Sequence, residues 1–542
     1  MAILIETNEY QTPITEELLS QYPEEVVQQF TEIVNIVPFI KNLINPNRPK
    51  IEDLPRDKEG RAIVDITNPP IYKDADYFRQ PALFYLKNNC YTKLRPNSNP
   101  NSEYRKYWRE ELRRCREGLI RQSDGMYVTG FLYWFLNYCP MMVNFYKEGQ
   151  KKAIRKESFG FFFEGIWWRS IYLYNAREQG HHAIELAKRG CGKSIFLSAI
   201  MSHNLIVGES EATHKRCITV LTAAQKEYLK DDKDGTLNKF IPELSFVIDN
   251  TPFPNLLLKN SPNEMSWQMG YKKPNGAIGG SMNQVLGVSA KDDSDKLRGK
   301  RGWILYEEMG TFDGLLELYD VTRKSVEDGD YTFACQYLVG TANHKESSFL
   351  SAKKLLYAPE SYNIQSVPNV YDKKGSGKDT CGFFFPAYIN RAGCYNKDGI
   401  SDVIKALLQV LMARYKAKYG ADPTSVLRVI AEDPITPAEA IIKVKDAYFP
   451  VASLQERADT LDKNPSLYDD IYIGELYTTG TGEIEFRPTD DIPIRTYPVD
   501  NDTKGALEIY SMPKKDREGK VFNDRYIIGV DPKSLGLILV IK

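Results

Sequence analysis

The sequence predicts an α/β protein in which a parallel central sheet is flanked by helices, and two stretches support this prediction. The apolar run Ala183–Ala187 leads through a short glycine-containing turn into a second apolar run that begins at Ile195. About 110 residues later, the apolar run Trp303–Tyr306 ends in two glutamates. Strands made mostly of apolar residues are typical of a parallel sheet that is buried on both faces. We therefore interpret both stretches as core strands.

The turn after the first strand has the layout of a phosphate-binding loop. A helix N-terminus offers free backbone N–H groups and the positive end of a dipole, and Gly190 and Gly192 allow the backbone to approach phosphate oxygens. Lys193 would reach the β- and γ-phosphates, and the Ser194 hydroxyl would hold Mg²⁺. Ala187 replaces the first glycine of G-x-x-x-x-G-K-[ST], and a basic turn without a ligand is the alternative. The residues expected to line ATP are Lys188, Arg189, Gly190, Cys191, Gly192, Lys193 and Ser194.

The second strand ends in Glu307 and Glu308. Ligands of open α/β sheets bind at the carboxyl ends of the strands. One acid can support the Mg²⁺ shell, and the next can orient or deprotonate an attacking water. An exposed acidic strand end is the alternative, but the two motifs together are more specific than either alone.

Two further stretches are candidates for nucleotide sensing. A third strand begins at Gln336 and continues into Thr341 and Asn343, whose side chains could sense the loss of a γ-phosphate; an ordinary strand end is the alternative. A charged loop precedes the acidic strand. It is either a solvated connection or a source of a cation, Arg298 or Arg301, aimed at a phosphate in its own or a neighbouring site.

Composition narrows the function classes. The 542 residues contain 71 Lys and Arg against 72 Asp and Glu, so any DNA contact has to come from local patches rather than from a globally basic chain. The basic face of a helix predicted at 103–121 is one such patch, with a solvated helix face as the alternative. The eight cysteines form no C-x-x-C pair, which argues against a zinc site and fits a cytosolic protein. We expect neither a signal peptide nor a membrane span.

The chain divides into four predicted regions. Residues 1–150 form a mostly helical extension, residues 151–360 form the core, and residues 361–500 form a lid or linker region. The core includes an insertion-like stretch at about 230–285, rich in Asn, Pro and Gly. Residues 501–542 contain two strand candidates, the second of which ends in Asp531.

The order of these motifs resembles that of the large terminase subunit of tailed bacteriophages. The matching segments are LAKRGCGKS, WILYEE, VGTAN, EDPITPAEAI followed by YFP, and YIIGVDP. The resemblance covers roughly residues 150–531 and implies an ASCE-type P-loop ATPase followed by the start of a ribonuclease H-like domain.

The resemblance also implies roles for individual residues. Arg189 matches a basic position in the family's phosphate loop, and Arg298 matches an arginine that some members supply in trans. Glu307 would support the metal and Glu308 would be the catalytic carboxylate. The remaining roles are coupling of hydrolysis to DNA movement by Thr341 and Asn343, and metal binding in a nuclease by Asp531.

The function implied by the resemblance is an ATP- and Mg²⁺-dependent motor that packages viral DNA in the host cytoplasm. Its partners would be double-stranded DNA, the portal protein of the procapsid and the small terminase subunit, with the chain itself in a homo-oligomeric ring, a pentamer by resemblance. The sequence ends eleven residues after Asp531, so we expect a truncated nuclease domain without activity. The alternatives are a helicase-like ATPase and a nucleotide-responsive scaffold that docks on a portal.

Overall fold

The fold is described from a computed structural model. It covers residues 6–145, 152–208, 216–230, 235–290, 294–341, 346–373, 378–420, 425–441, 472–482, 484–490, 507–509, 526–531 and 536–541. Contacts divide the chain into two units, Met1–Asp446 and Ala447–Lys542. Among the described helices, none combines the length and apolar character needed to cross a bilayer.

The N-terminal region is mostly helical. Its helices are α1 (Glu16–Leu19), α2 (Glu24–Ile36), α3 (Pro38–Ile44), α4 (Gln80–Asn88), α5 (Glu103–Glu117) and α6 (Gly130–Tyr138), and its strands are β1 (Leu119–Ile120), β2 (Tyr127–Val128), β3 (Pro140–Phe145) and β4 (Ile154–Phe159). All nine residues of α6 are buried. On α5, Arg113 and Arg114 pair with Glu110, which fits the interpretation of this helix as having a solvated charged face.

The elements of the core follow α7 (Glu164–Glu178). They are β5 (Ala183–Ala187), α8 (Lys193–Ile206), β6 (Ile218–Ala223), α9 (Lys226–Leu229), α10 (Thr236–Asn250), β7 (Leu257–Ser261), β8 (Ser266–Met269), β9 (Tyr271–Lys272), β10 (Ile278–Gly279), β11 (Gln284–Ser289), β12 (Trp303–Tyr306), α11 (Leu315–Val326), β13 (Glu327–Asp328), β14 (Tyr331–Thr332), β15 (Gln336–Gly340), α12 (Glu346–Tyr357), β16 (Val367–Pro368), β17 (Thr380–Cys381) and β18 (Phe383–Phe385).

Eight of these strands form one sheet in the order β18-β5-β15-β12-β6-β11-β8-β7. The strands from β18 to β11 are parallel to one another. Strand β8 is antiparallel to β11, and β7 is antiparallel to β8. One strand, β15, lies between the strand that precedes the phosphate loop and the acidic strand. This is the ASCE-type order, and it confirms the predicted α/β fold class. Because β5, β15 and β12 are parallel, their carboxyl ends meet at one edge of the sheet.

Two segments belong to the sheet although the sequence placed them elsewhere. The insertion-like stretch contains α10, which packs against α8, and strands β7 and β8, which extend the sheet. Strand β18 pairs with β5 beyond the predicted core boundary at residue 360. Both segments are short or rich in turn residues, so their pairing depends on partners that are distant in sequence.

The rest of the first unit contains α13 (Val403–Lys418), α14 (Ser425–Glu432) and α15 (Pro437–Ala440). The second unit contains an antiparallel sheet of β19 (Tyr472–Thr478), β20 (Ile484–Pro488) and β21 (Leu507–Ile509), and a hairpin of β22 (Tyr526–Asp531) and β23 (Gly536–Ile541).

Candidate active site

The predicted phosphate loop, residues 188–192 and called the phosphate loop below, joins the buried strand β5 to helix α8. Gly190 and Gly192 have φ angles of +73° and +79°, a region that glycine adopts without a steric penalty. Gly192 is the N-cap of α8, and no side chain caps this helix end. The first N–H groups of α8 therefore have no capping side chain, which is the arrangement that binds an anion.

Lys193 and Ser194 begin α8, as predicted. The Lys193 ammonium is buried and donates a hydrogen bond to the Lys188 carbonyl at 3.2 Å. The Ser194 hydroxyl donates to Oε1 of Glu307 at 2.6 Å, across 113 residues of sequence. The fold thus brings the phosphate loop and the acidic strand into direct contact.

Glu307, which the sequence analysis predicts to support a metal ion, lies buried next to Ser194. Its side chain is buried, and burial raises its pKa to about 7, with the charge of Glu308 adding to the effect. Its Oε2 atom is buried without a hydrogen-bond partner, and the Thr236 side chain lowers the pKa of the carboxyl. In the described part of the chain, no three His, Cys, Asp or Glu side chains converge as a metal cage. A hydroxyl, one carboxylate and space for phosphate and water fit Mg²⁺, which usually retains several waters.

Glu308 follows in a left-handed backbone conformation, with φ of 49°. Its Oε2 accepts hydrogen bonds from the Thr341 N–H at 3.2 Å and the Thr341 hydroxyl at 3.1 Å. A Cβ atom at Gly340 would lie 2.7 Å from the backbone nitrogen of Met309, so a glycine is needed where β15 passes this turn. The predicted catalytic carboxylate therefore contacts the predicted coupling strand.

A buried ion pair that the sequence analysis did not identify connects α7 and β5 to the phosphate loop. Arg169 of α7 binds Glu185 of β5 at 2.5 and 2.7 Å, and both side chains are almost fully buried. Arg169 also donates to the Cys191 carbonyl at 3.2 Å, and Tyr337 donates to Glu185. The only sequence signal was a charge within each of two apolar runs.

Lys188 and Arg189 contact the protein rather than an open phosphate site. The Lys188 ammonium is buried and donates to the carbonyls of Ile389 at 2.5 Å and Ala387 at 3.4 Å, and burial lowers its pKa to about 8. Arg189 is exposed and pairs with Glu432 at 3.2 Å.

The other predicted site residues are not brought to this cluster by any described contact. Arg298 is exposed and pairs with Asp295 at 3.0 Å, so its role in trans stays a prediction. Asn343 lies outside the described residues. Asp531 is the last residue of β22, where it pairs with Gly536 of β23, and its side chain is not among the parts of the chain that the structure describes.

Comparisons with known proteins give a faint likeness only. No family model and no curated protein matches the chain. One similar solved structure is the large terminase ATPase domain of Thermus phage P74-26, with a TM-score of 0.32, 11% identity, and coverage of 49% of this chain and 92% of that one. Another is the large terminase of bacteriophage HK97, with a TM-score of 0.25, 11% identity, and coverage of 55% and 47%. Because both TM-scores are low, nothing is inferred from these two structures, and the fold is assigned from the order of the strands in the sheet.

Proposed function

We propose that this chain binds ATP with Mg²⁺, hydrolyses it, and uses the hydrolysis to move double-stranded DNA. The observation that carries the proposal is the contact between Ser194 and Glu307 at 2.6 Å. It joins the first turn of α8 to the acidic strand, and it leaves the second oxygen of Glu307 without a partner. P-loop ATPases use such a hydroxyl and carboxylate around Mg²⁺.

Each side chain has a distinct part in the proposed reaction. Ser194 and Glu307 would hold Mg²⁺, which supplies neutralisation of the phosphate charge. Lys193 exchanges its bond to the Lys188 carbonyl for a phosphate oxygen, and the N–H groups at the start of α8 bind the same phosphates. Glu308 orients water and accepts its proton as the water oxygen bonds to the γ-phosphorus and the bond to ADP breaks. Thr341 contacts Glu308 and would register the change in its charge.

The coupling to DNA is the finer part of the proposal, and the order of the motifs supports it. The partners would be double-stranded DNA, a procapsid portal protein and a small terminase subunit, with copies of this chain forming a ring. The near-neutral composition requires that DNA contacts come from local patches. A helicase-like ATPase and a nucleotide-responsive portal scaffold remain the competing proposals.

The decisive experiment compares Glu308→Gln with the wild-type chain. The amide keeps the shape but cannot accept the proton, so we expect kcat to fall by about 10²–10⁴-fold while the affinity for Mg²⁺ and ATP changes by less than about threefold. Turnover is measured by phosphate release, and affinity with a fluorescent ATP analogue. Glu317→Gln, an exposed glutamate at the start of α11, is the matched control.

The same assay separates the competing functions. Stimulation of turnover by linear double-stranded DNA supports the motor, and strand separation supports the helicase. Absence of turnover with DNA and procapsids present supports the scaffold. If Glu308→Gln fails to bind nucleotide, rather than binding it without turnover, the roles of Glu307 and Glu308 are wrongly assigned.

A further inference from the structure

The segment EDPITPAEA, which begins at Glu432, is in direct contact with the phosphate loop. The Arg189 backbone N–H donates to the Glu432 carbonyl at 3.2 Å. The Arg189 guanidinium pairs with the Glu432 carboxylate, also at 3.2 Å. Glu432 is the last residue of α14, so its carbonyl lacks a partner within the helix and lies at the negative end of the helix dipole. The backbone and the side chain of Arg189 therefore both bind the C-terminal end of α14.

The position of Glu432 is fixed by its neighbours rather than by Arg189. Asp433 pairs with Arg391 at 3.1 Å, and its carbonyl accepts from the nearly buried Arg414 at 3.0 Å. The Pro434 carbonyl accepts from the Ala387 N–H at 2.8 Å. A carboxylate held in place by this turn is a defined partner for the loop arginine.

Arg189, by contrast, is free to change partner. It lies in the phosphate loop one residue before Gly190, and its side chain is 66% exposed. Exposed ion pairs contribute little, about 0–1 kcal/mol, whereas charge-assisted bonds from arginine to phosphate are frequently bidentate and stronger. A nucleotide phosphate can therefore take Arg189 from Glu432.

We propose that Glu432 is a positioning residue that holds Arg189 away from the nucleotide, and that bound ATP exchanges the Glu432 carboxylate for a phosphate oxygen. This inference rests on the proposed function of the loop. It adds that the turn at 432–434 competes with ATP for one arginine. Nucleotide occupancy is thereby linked to a segment outside the core sheet motifs.

The test is a double-mutant cycle with Glu432→Gln and Arg189→Ala in the full chain. The probe is a fluorescent non-hydrolysable ATP analogue with Mg²⁺, and the dissociation constant is measured by anisotropy. Removing the competing charge is expected to tighten binding by about two- to fivefold, the fold-change that corresponds to an exposed ion pair. Arg189→Ala is expected to weaken binding, and adding Glu432→Gln to it should change nothing further.

Three further measurements distinguish positioning from a structural role. The gain in Glu432→Gln should shrink at high salt, because exposed charges are screened. Glu117→Gln, the matched control, removes an exposed ion pair with Arg113 at the end of another helix, α5, and should leave the dissociation constant unchanged. The thermal midpoint of Glu432→Gln should stay near that of the wild-type chain.

Several results would overturn the inference. One is an unchanged dissociation constant in Glu432→Gln while Arg189→Ala weakens binding, and another is the same gain with and without Arg189. A lowered thermal midpoint with unchanged affinity would assign Glu432 to structure alone. If the wild-type chain binds no nucleotide, the proposed function of the loop fails first, and that result is recognised before any variant is compared.

Discussion

The two flanks of the phosphate loop differ in whether their charged groups already have partners within the protein. On the acidic flank, formed by Ser194, Glu307 and Glu308, an oxygen of Glu307 is buried without a hydrogen-bond partner. On the cationic flank, formed by Arg169, Lys188 and Arg189, each charge is bonded to a carboxylate or a carbonyl of the protein.

In the proposed function, the acidic flank binds a ligand, whereas the buried cations of the cationic flank hold the loop in position. A buried carboxylate oxygen is costly to leave unpaired, and this cost favours the proposed binding of Mg²⁺ on the acidic flank. Arg169 and Lys188 have protein partners in buried surroundings, and they fix the loop. Arg189 is exposed, so among these three cations it exchanges partners at the lowest cost.

The largest effect is expected from breaking the cationic flank. Arg169→Met leaves Glu185 charged, buried and unpaired, which typically costs about 3–5 kcal/mol. We expect the urea midpoint, followed by tryptophan fluorescence, to fall accordingly, and adding Glu185→Leu should recover part of the loss. Arg113→Met, which breaks an exposed pair on α5, is the control and should cost no more than about 1 kcal/mol. A similar small loss for Arg169→Met would show that the buried pair does not hold the loop.

A loss of activity is expected next, from Lys193→Ala. Lys193 is a buried ammonium bonded to a single loop carbonyl, so it can move to a phosphate. Removing a preorganised charge at such a site typically costs about 10²–10³-fold in kcat, so ATP hydrolysis should fall to background. Phosphate release is the measurement, and Lys324→Ala on the exposed side of α11 is the control. Near wild-type turnover would reject the phosphate-loop assignment.

The sequence was informative about local geometry and uninformative about distant partners. The end of β5, the start of α8 and the acids after β12 were predicted because glycine placement and apolar runs are local signals.

Partners across the fold left no local pattern. Glu185 sits within an apolar strand and Arg169 within an apolar helix, so neither position indicates the other. Glu432 meets Arg189 only because α14 ends beside the loop. The order of the strands, with β15 between β5 and β12, likewise depends on pairings that no single stretch encodes.

The smallest expected effect is a pH dependence that arises from the protonation of Glu307 on the acidic flank. Burial and the charge of Glu308 raise the pKa of Glu307 from 4.5 to about 7. The folded value lies above the unfolded one, so this group favours the folded state most below about pH 4.5, and that contribution is lost as the pH rises through about 7. Mg²⁺ requires the ionised carboxylate and competes with the proton, so metal affinity should move in the opposite direction and improve over the same range.

We therefore expect the affinity for Mg²⁺ and ATP to rise by about tenfold between pH 6 and pH 8, since the ionised fraction of a group with a pKa near 7 changes by that factor. The nucleotide's own titration contributes equally to wild type and Glu307→Gln. The difference between the two slopes therefore belongs to Glu307, and titration calorimetry in buffers of different ionisation enthalpy measures the proton released. Equal slopes in both proteins would mean that Glu307 is already ionised at pH 6 or does not bind the metal. A steeper slope in the wild-type chain would show that the unpaired oxygen of the acidic flank receives the cation.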